Sequence, residues 1–92
     1  MVVIVKRRGH KEKFDERKVY GSVYAACASA HYGEKECEKV SEEMTKKIKK
    51  MVASKERIDS TLIRNRIKAE LKKKDGELAF YYEQHLPNLK KL

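Results

Sequence analysis

The sequence predicts an α+β fold, mainly α: a four-helix bundle capped by a small N-terminal β-hairpin or three-stranded sheet. Three observations carry the prediction. A β-branched apolar run at residues 2–5 stops at a basic turn, Lys6-Arg7-Arg8-Gly9, and a short polar return follows it. Behind it, apolar residues recur at helical spacing in successive stretches. Between the stretches stand capping or breaking residues: Asp15, Gly33, Asp59-Ser60, Asp75-Gly76 and Pro87.

Taken in order, residues 2–6 read as a strand and residues 11–14 as its antiparallel partner, joined by a turn at residues 7–10 in which Gly9 can supply a positive φ. Two strands alone are marginal in water, so the hairpin must lie on something. Asp15 is a good N-cap for a first helix, in which Val19, Val23, Ala26, Cys27 and Ala30 share a face. Tyr20 and Tyr24 form a neighbouring stripe, and Gly33 is expected to end the helix near His31 and Tyr32. A second helix spans about residues 34–53, with Cys37, Val40, Met44, Ile48, Met51 and Val52 as its apolar stripe. Its glutamates lie in the first half and its lysines in the second, an order that complements the helix dipole without any partner.

Residues 54–58 form a connection with room for a short extra strand at Arg57 and Ile58. Asp59 or Ser60 caps a third helix, which buries Ile63, Ile67 and Leu71 and finishes on Lys72, Lys73 and Lys74. Asp75-Gly76 breaks the chain. A fourth helix then runs from Glu77 to about His85, carrying Leu78, Phe80, Tyr81 and Tyr82, and Pro87 is expected to stop it. The expected organisation is a single domain over residues 1–86 with a short C-terminal tail over residues 87–92.

The 92 residues are 40% apolar and 40% charged, which suits helices with one greasy face and a charged outer face. A net charge of +9 favours anionic partners, although a solvated Lys/Glu surface explains many of the lysines without one. Cys27 and Cys37 fall on apolar helical positions, lack a CxxC spacing, and read as free buried thiols of a reducing, cytoplasmic compartment. His10, His31 and His85 are scattered, so no metal site is expected. The run at residues 2–5 is far too short to span a bilayer or form a signal-peptide core. Neither a Ser/His/Asp nor a Cys/His arrangement is suggested, and no carboxylate pair stands out, so an enzyme is not expected. There is no GxxxxGK[ST] loop either.

The basic turn still makes a plausible seat for a polyphosphate, because it lies beside a helix N-terminus. Lys6, Arg7, Lys18 and Arg64 would converge if the hairpin folded over the bundle end that exposes the starts of the first and third helices. The third helix would add backbone N–H donors near Ser60 and Thr61. The same residues have plainer readings. The turn suits a solvated hairpin tip, Phe14 a core position, Glu12 a surface ion pair, and Ser60 a helix cap.

The order Ile4, Lys6, Arg7, Gly9, Glu12, Phe14, Asp15, Lys18 resembles the ATP-cone, a nucleotide-binding regulatory domain of ribonucleotide reductases and of the zinc-ribbon repressor of reductase genes. Residues 57–67 are similar to the family's stretch leading into the third helix, and the resemblance covers roughly residues 2–85. It implies the same fold, and ATP or dATP as an effector, with or without Mg2+. It also implies control of oligomerisation or of a protein partner, for which Tyr20, Tyr24 and Tyr32 offer a surface. By resemblance, Lys6 and Arg7 match the basic pair near the phosphates, and Lys18 a phosphate-binding lysine. Ile4 and Phe14 match apolar neighbours of the base, and Glu12 and Asp15 polar positions around its amine. Ser60 and Arg64 match positions near the phosphates.

Arg8 stands where the family commonly has Asp, and the family's C-terminal Tyr and basic residues are only loosely echoed by Tyr82 and the last lysines. Without a zinc ribbon or a catalytic barrel, the chain would be a stand-alone cone. Two alternatives stay open. One is a small basic nucleic-acid-binding protein, supported by the net charge and Lys72, Lys73 and Lys74. The other is a helical interaction domain with a decayed nucleotide site.

Overall fold

The computed structural model describes residues 3–5 and 11–90. The elements follow the order β1 (Val3–Val5), β2 (Lys11–Lys13), α1 (Glu16–Ser29), α2 (Glu34–Ala53), β3 (Arg57–Asp59), α3 (Ser60–Lys74) and α4 (Gly76–Lys90). Four helices and a small mixed sheet make the fold α+β and mainly α, as the sequence predicts. The expected turn at Lys6, Arg7, Arg8, Gly9 and His10 lies outside the described residues.

β1 is the middle strand, in the order β2-β1-β3. It pairs antiparallel with β2, placing Ile4 opposite Glu12, and parallel with β3, placing Ile4 beside Ile58. The Val3 N–H donates to the Glu56 carbonyl at 3.0 Å, which fixes the entry into β3. Because side chains alternate across a strand, Ile4, Glu12 and Ile58 share one sheet face. Ile4 and Ile58 are buried there against the helices. The charged, edge-lying β2 resists pairing with another chain.

The bundle core joins Val19, Val23, Ala26 and Cys27 of α1 to Cys37, Val40, Met44, Ile48 and Val52 of α2. Ile63, Ile67 and Leu71 of α3 and Leu78, Ala79 and Tyr82 of α4 complete it. Both cysteines are free and buried. Ser41 is buried in the same stripe of α2, and its Oγ has no hydrogen-bond partner among the described residues. On the surface, Lys47 of α2 reaches Glu70 of α3 at 2.8 Å, and Arg66 and Lys73 approach the same carboxylate at 3.4 and 3.8 Å.

Three local expectations are corrected. α1 is ended by His31, not Gly33. His31 takes the left-handed conformation at φ 65, its N–H donates to the Ala28 carbonyl, and the Tyr32 N–H donates to the Cys27 carbonyl at 3.1 Å. That pair of bonds closes the helix as glycine usually does. Gly33 instead has φ −64 and is the N-cap of α2. Asp75-Gly76 does break α3 from α4, but Gly76 already begins α4, because the Asp75 side chain caps it by accepting from the Glu77 N–H at 3.0 Å. Finally, α4 continues through Pro87 to Lys90 instead of stopping. A proline there takes an N–H from the Glu83 carbonyl, and Glu83 sits on the exposed side of the helix, where water can replace the lost donor.

Candidate functional site

The local chemistry at the starts of α1 and α3 sets the site. Asp15 caps α1, its Oδ1 accepting from the Arg17 N–H at 2.9 Å. The Arg17 side chain folds back onto the same carboxylate, Nε to Oδ1 and Nη2 to Oδ2, both at 3.1 Å. These bonds from the Arg17 side chain and backbone hold the Asp15 carboxyl below its usual range. Asp59, not Ser60, caps α3, its Oδ1 accepting from the Thr61 N–H at 2.8 Å. Ser60 is left buried at the first position of α3, and its hydroxyl makes no side-chain hydrogen bond among the described residues.

Between these helix starts and the sheet face lies an open cavity of about 560 Å³, within the range of small-molecule sites. Ile4, Glu12 and Lys13 line it from the sheet, and Phe14 and Asp15 from the turn into α1. Lys18, Val19, Gly21, Ser22 and Ala25 line it from α1, Ser60, Ile63, Arg64 and Ile67 from α3, and Tyr82 and His85 from α4. All seven described residues named from the sequence, Ile4, Glu12, Phe14, Asp15, Lys18, Ser60 and Arg64, therefore meet at one cavity. Lys6 and Arg7 lie outside the described residues.

Of the three cations that line the cavity, Lys13, Lys18 and Arg64, the last two stand in different states. Lys18 Nζ donates to Glu12 Oε1 at 3.1 Å, which ties α1 to the sheet. Arg64 is half-buried and has no carboxylate partner among the described residues. Its charge is felt by Tyr82. Burial pushes the Tyr82 phenol up to about 12, while the Arg64 guanidinium and the Ser22 hydroxyl pull the other way. A partly desolvated guanidinium without a carboxylate is an incomplete electrostatic pair, and a phosphate completes it with paired hydrogen bonds.

Sequence reasoning left out the far wall: Gly21, Ser22 and Ala25 on α1, with Tyr82 and His85 on α4. The first three were legible in principle, since positions 18, 21, 22 and 25 share one helix face. His85 was not, because its place is set by tertiary contact: Nε2 lies 3.0 Å from Ser29 Oγ and ties α4 to α1. Among the described residues no group of His, Cys, Asp or Glu is arranged to hold a metal ion.

The family model of the ATP cone domain matches residues 2–83 of this 92-residue chain. The chain belongs to the ATP-cone family. Membership places it among nucleotide-binding regulatory domains. No curated protein and no solved structure matches the cone significantly. Among the described residues, no helix of the cone is long and apolar enough to cross a membrane.

Proposed function

We propose that this cone binds ATP or dATP in the cavity as an effector, not a substrate, and thereby controls its own oligomerisation or a partner protein. The observation that carries the reading is Arg64, a half-buried guanidinium without a carboxylate among the described residues, one helical turn into α3 from the unengaged Ser60 hydroxyl. Both supply anion contacts at the end of the cavity where α3 begins, although the Thr61 N–H there is already taken by Asp59. Ile4 and Phe14 give the base an apolar seat, and Glu12 and Asp15 face its polar edge. Lys18 joins the phosphates by exchanging its Glu12 partner, a small cost for a pair this exposed. By the family resemblance Lys6 and Arg7 add charge to the phosphates, and Mg2+ can accompany the triphosphate. The same reading puts the protein in the cytoplasm, where its two thiols stay reduced.

A nucleic-acid surface is the weaker reading, because Lys47, Lys49, Lys68 and Lys73 are held by neighbouring carboxylates. Calorimetric titration with ATP and dATP, with and without magnesium, is the direct test. Saturable binding is expected. Arg64→Ala, and separately the Lys6→Ala/Arg7→Ala pair, should each weaken it by about tenfold or more, the loss typical of charge-assisted contacts. Wild-type affinity in both variants would remove the phosphate site from this cavity. Regulation requires one assembly state to bind the nucleotide better than the other. Light scattering with each nucleotide should therefore report a change of mass, either of the cone alone or of its complex with a partner.

A further inference from the structure

Gly21 has no structural reason to be glycine. It lies inside α1, away from either end, and does not take a positive φ. A Cβ built on it would meet nothing within 4 Å, so no neighbouring element demands the close approach that usually retains a glycine in a helix. Helix propensity argues against it as well, because glycine in a helix interior leaves the backbone loose and exposed. Yet Gly21 lines the cavity, one helical turn beyond Lys18 and on the same face as Ser22 and Ala25. The open space above it is continuous with the space that Arg64 faces from α3.

We infer that Gly21 is a specificity-determining position of the cavity: the bound nucleotide passes over the bare α1 backbone there, and a side chain at 21 would occupy the ligand's volume. This inference rests on the nucleotide reading above. It adds a residue that acts by absence, through shape and not through charge. The wall that follows, Ser22 and Ala25, is also small, so the cavity keeps its width along α1 beyond the charged residues.

The test is a graded series, Gly21→Ala and Gly21→Leu, beside wild type and Arg64→Ala. Both replacements are better helix formers and a Cβ at 21 meets no protein atom within 4 Å, so thermal melting should hold Tm at or above wild type, by about 4 °C for alanine. ATP titration should show little loss for Gly21→Ala and a loss of about tenfold or more for Gly21→Leu, the scale of overfilling a packed site. If the folded Gly21→Leu protein binds ATP like wild type while Arg64→Ala loses it, the inference falls and the nucleotide reading stands. If wild-type protein shows no ATP binding, both fall together.

Discussion

At the scale of single residues, the backbone of His31 carries a cost that its side chain does not relieve. It is exposed, stands at φ 65, and serves only to close α1. A β-carbon in the left-handed region is disfavoured by about 1–2 kcal/mol, and glycine removes that penalty. His31→Gly is therefore expected to stabilise the protein by about 1 kcal/mol, read from urea unfolding midpoints with an unchanged slope. The sequence points to Gly33 for this role, two residues late, because glycine is the commoner helix terminator. The chain instead uses Gly33 to start α2, where a residue with extended backbone is wanted and no side-chain cap is made. The cavity repeats the lesson. Side chains that bring charge, such as Lys18 and Arg64, are legible from their types and places, whereas Phe14 is named for the site only by the family resemblance. Gly21, which brings neither charge nor bulk, is not legible.

At the scale of elements, one carboxylate joins two helix junctions. Asp75 caps α4 and also accepts a hydrogen bond from the Tyr32 hydroxyl at 2.5 Å, which pins the α1–α2 corner to the α3–α4 corner. The bond holds Asp75 below its ordinary value of 3.8 and, with burial, raises the Tyr32 phenol from 10.0 to about 12. Both shifts favour the same pair, a protonated phenol and an ionised carboxylate. On the acid side, the folded Asp75 pKa is depressed, so the contribution is complete above about pH 3.8 and is lost as pH falls through the lower folded value. On the alkaline side, the Tyr32 pKa is raised, so the contribution is complete below pH 10 and is lost as pH rises toward 12. The Tm difference between wild type and Tyr32→Phe should accordingly be a plateau across that interval that closes at both ends. A difference independent of pH would show that the ring, and not the bond, ties the corners. Most helix boundaries were legible because caps such as Asp15 and Asp59 act locally. The end of α4 was not, because proline's cost is set by what surrounds the carbonyl it deprives, and that is a tertiary fact.

At the scale of the whole molecule, the sequence carries the bundle and its roof. Helical periodicity names nearly all of the buried residues, and the charge runs mark the outer faces. It does not name the order of the sheet, since a three-residue strand such as β3 has too few residues to show a period of two. That order has a kinetic meaning. α1 and α2 pack through near neighbours in sequence, whereas β1 meets β3 only after a loop of more than fifty residues has closed. The sheet that bears Ile4 and Glu12 is built from strands of only three residues each, so few backbone bonds hold it. Such a unit opens ahead of the bundle as a partial unfolding event. A molecule bridging the sheet to α1 and α3 would bind only the closed form. Amide exchange at Val3, Ile4 and Val5 should then slow on adding nucleotide, while amides in the middle of α2 stay as they were. The roof would thereby turn ligand concentration into a local folding equilibrium, with β2 and its exposed edge ordered or released according to how much nucleotide the cell supplies.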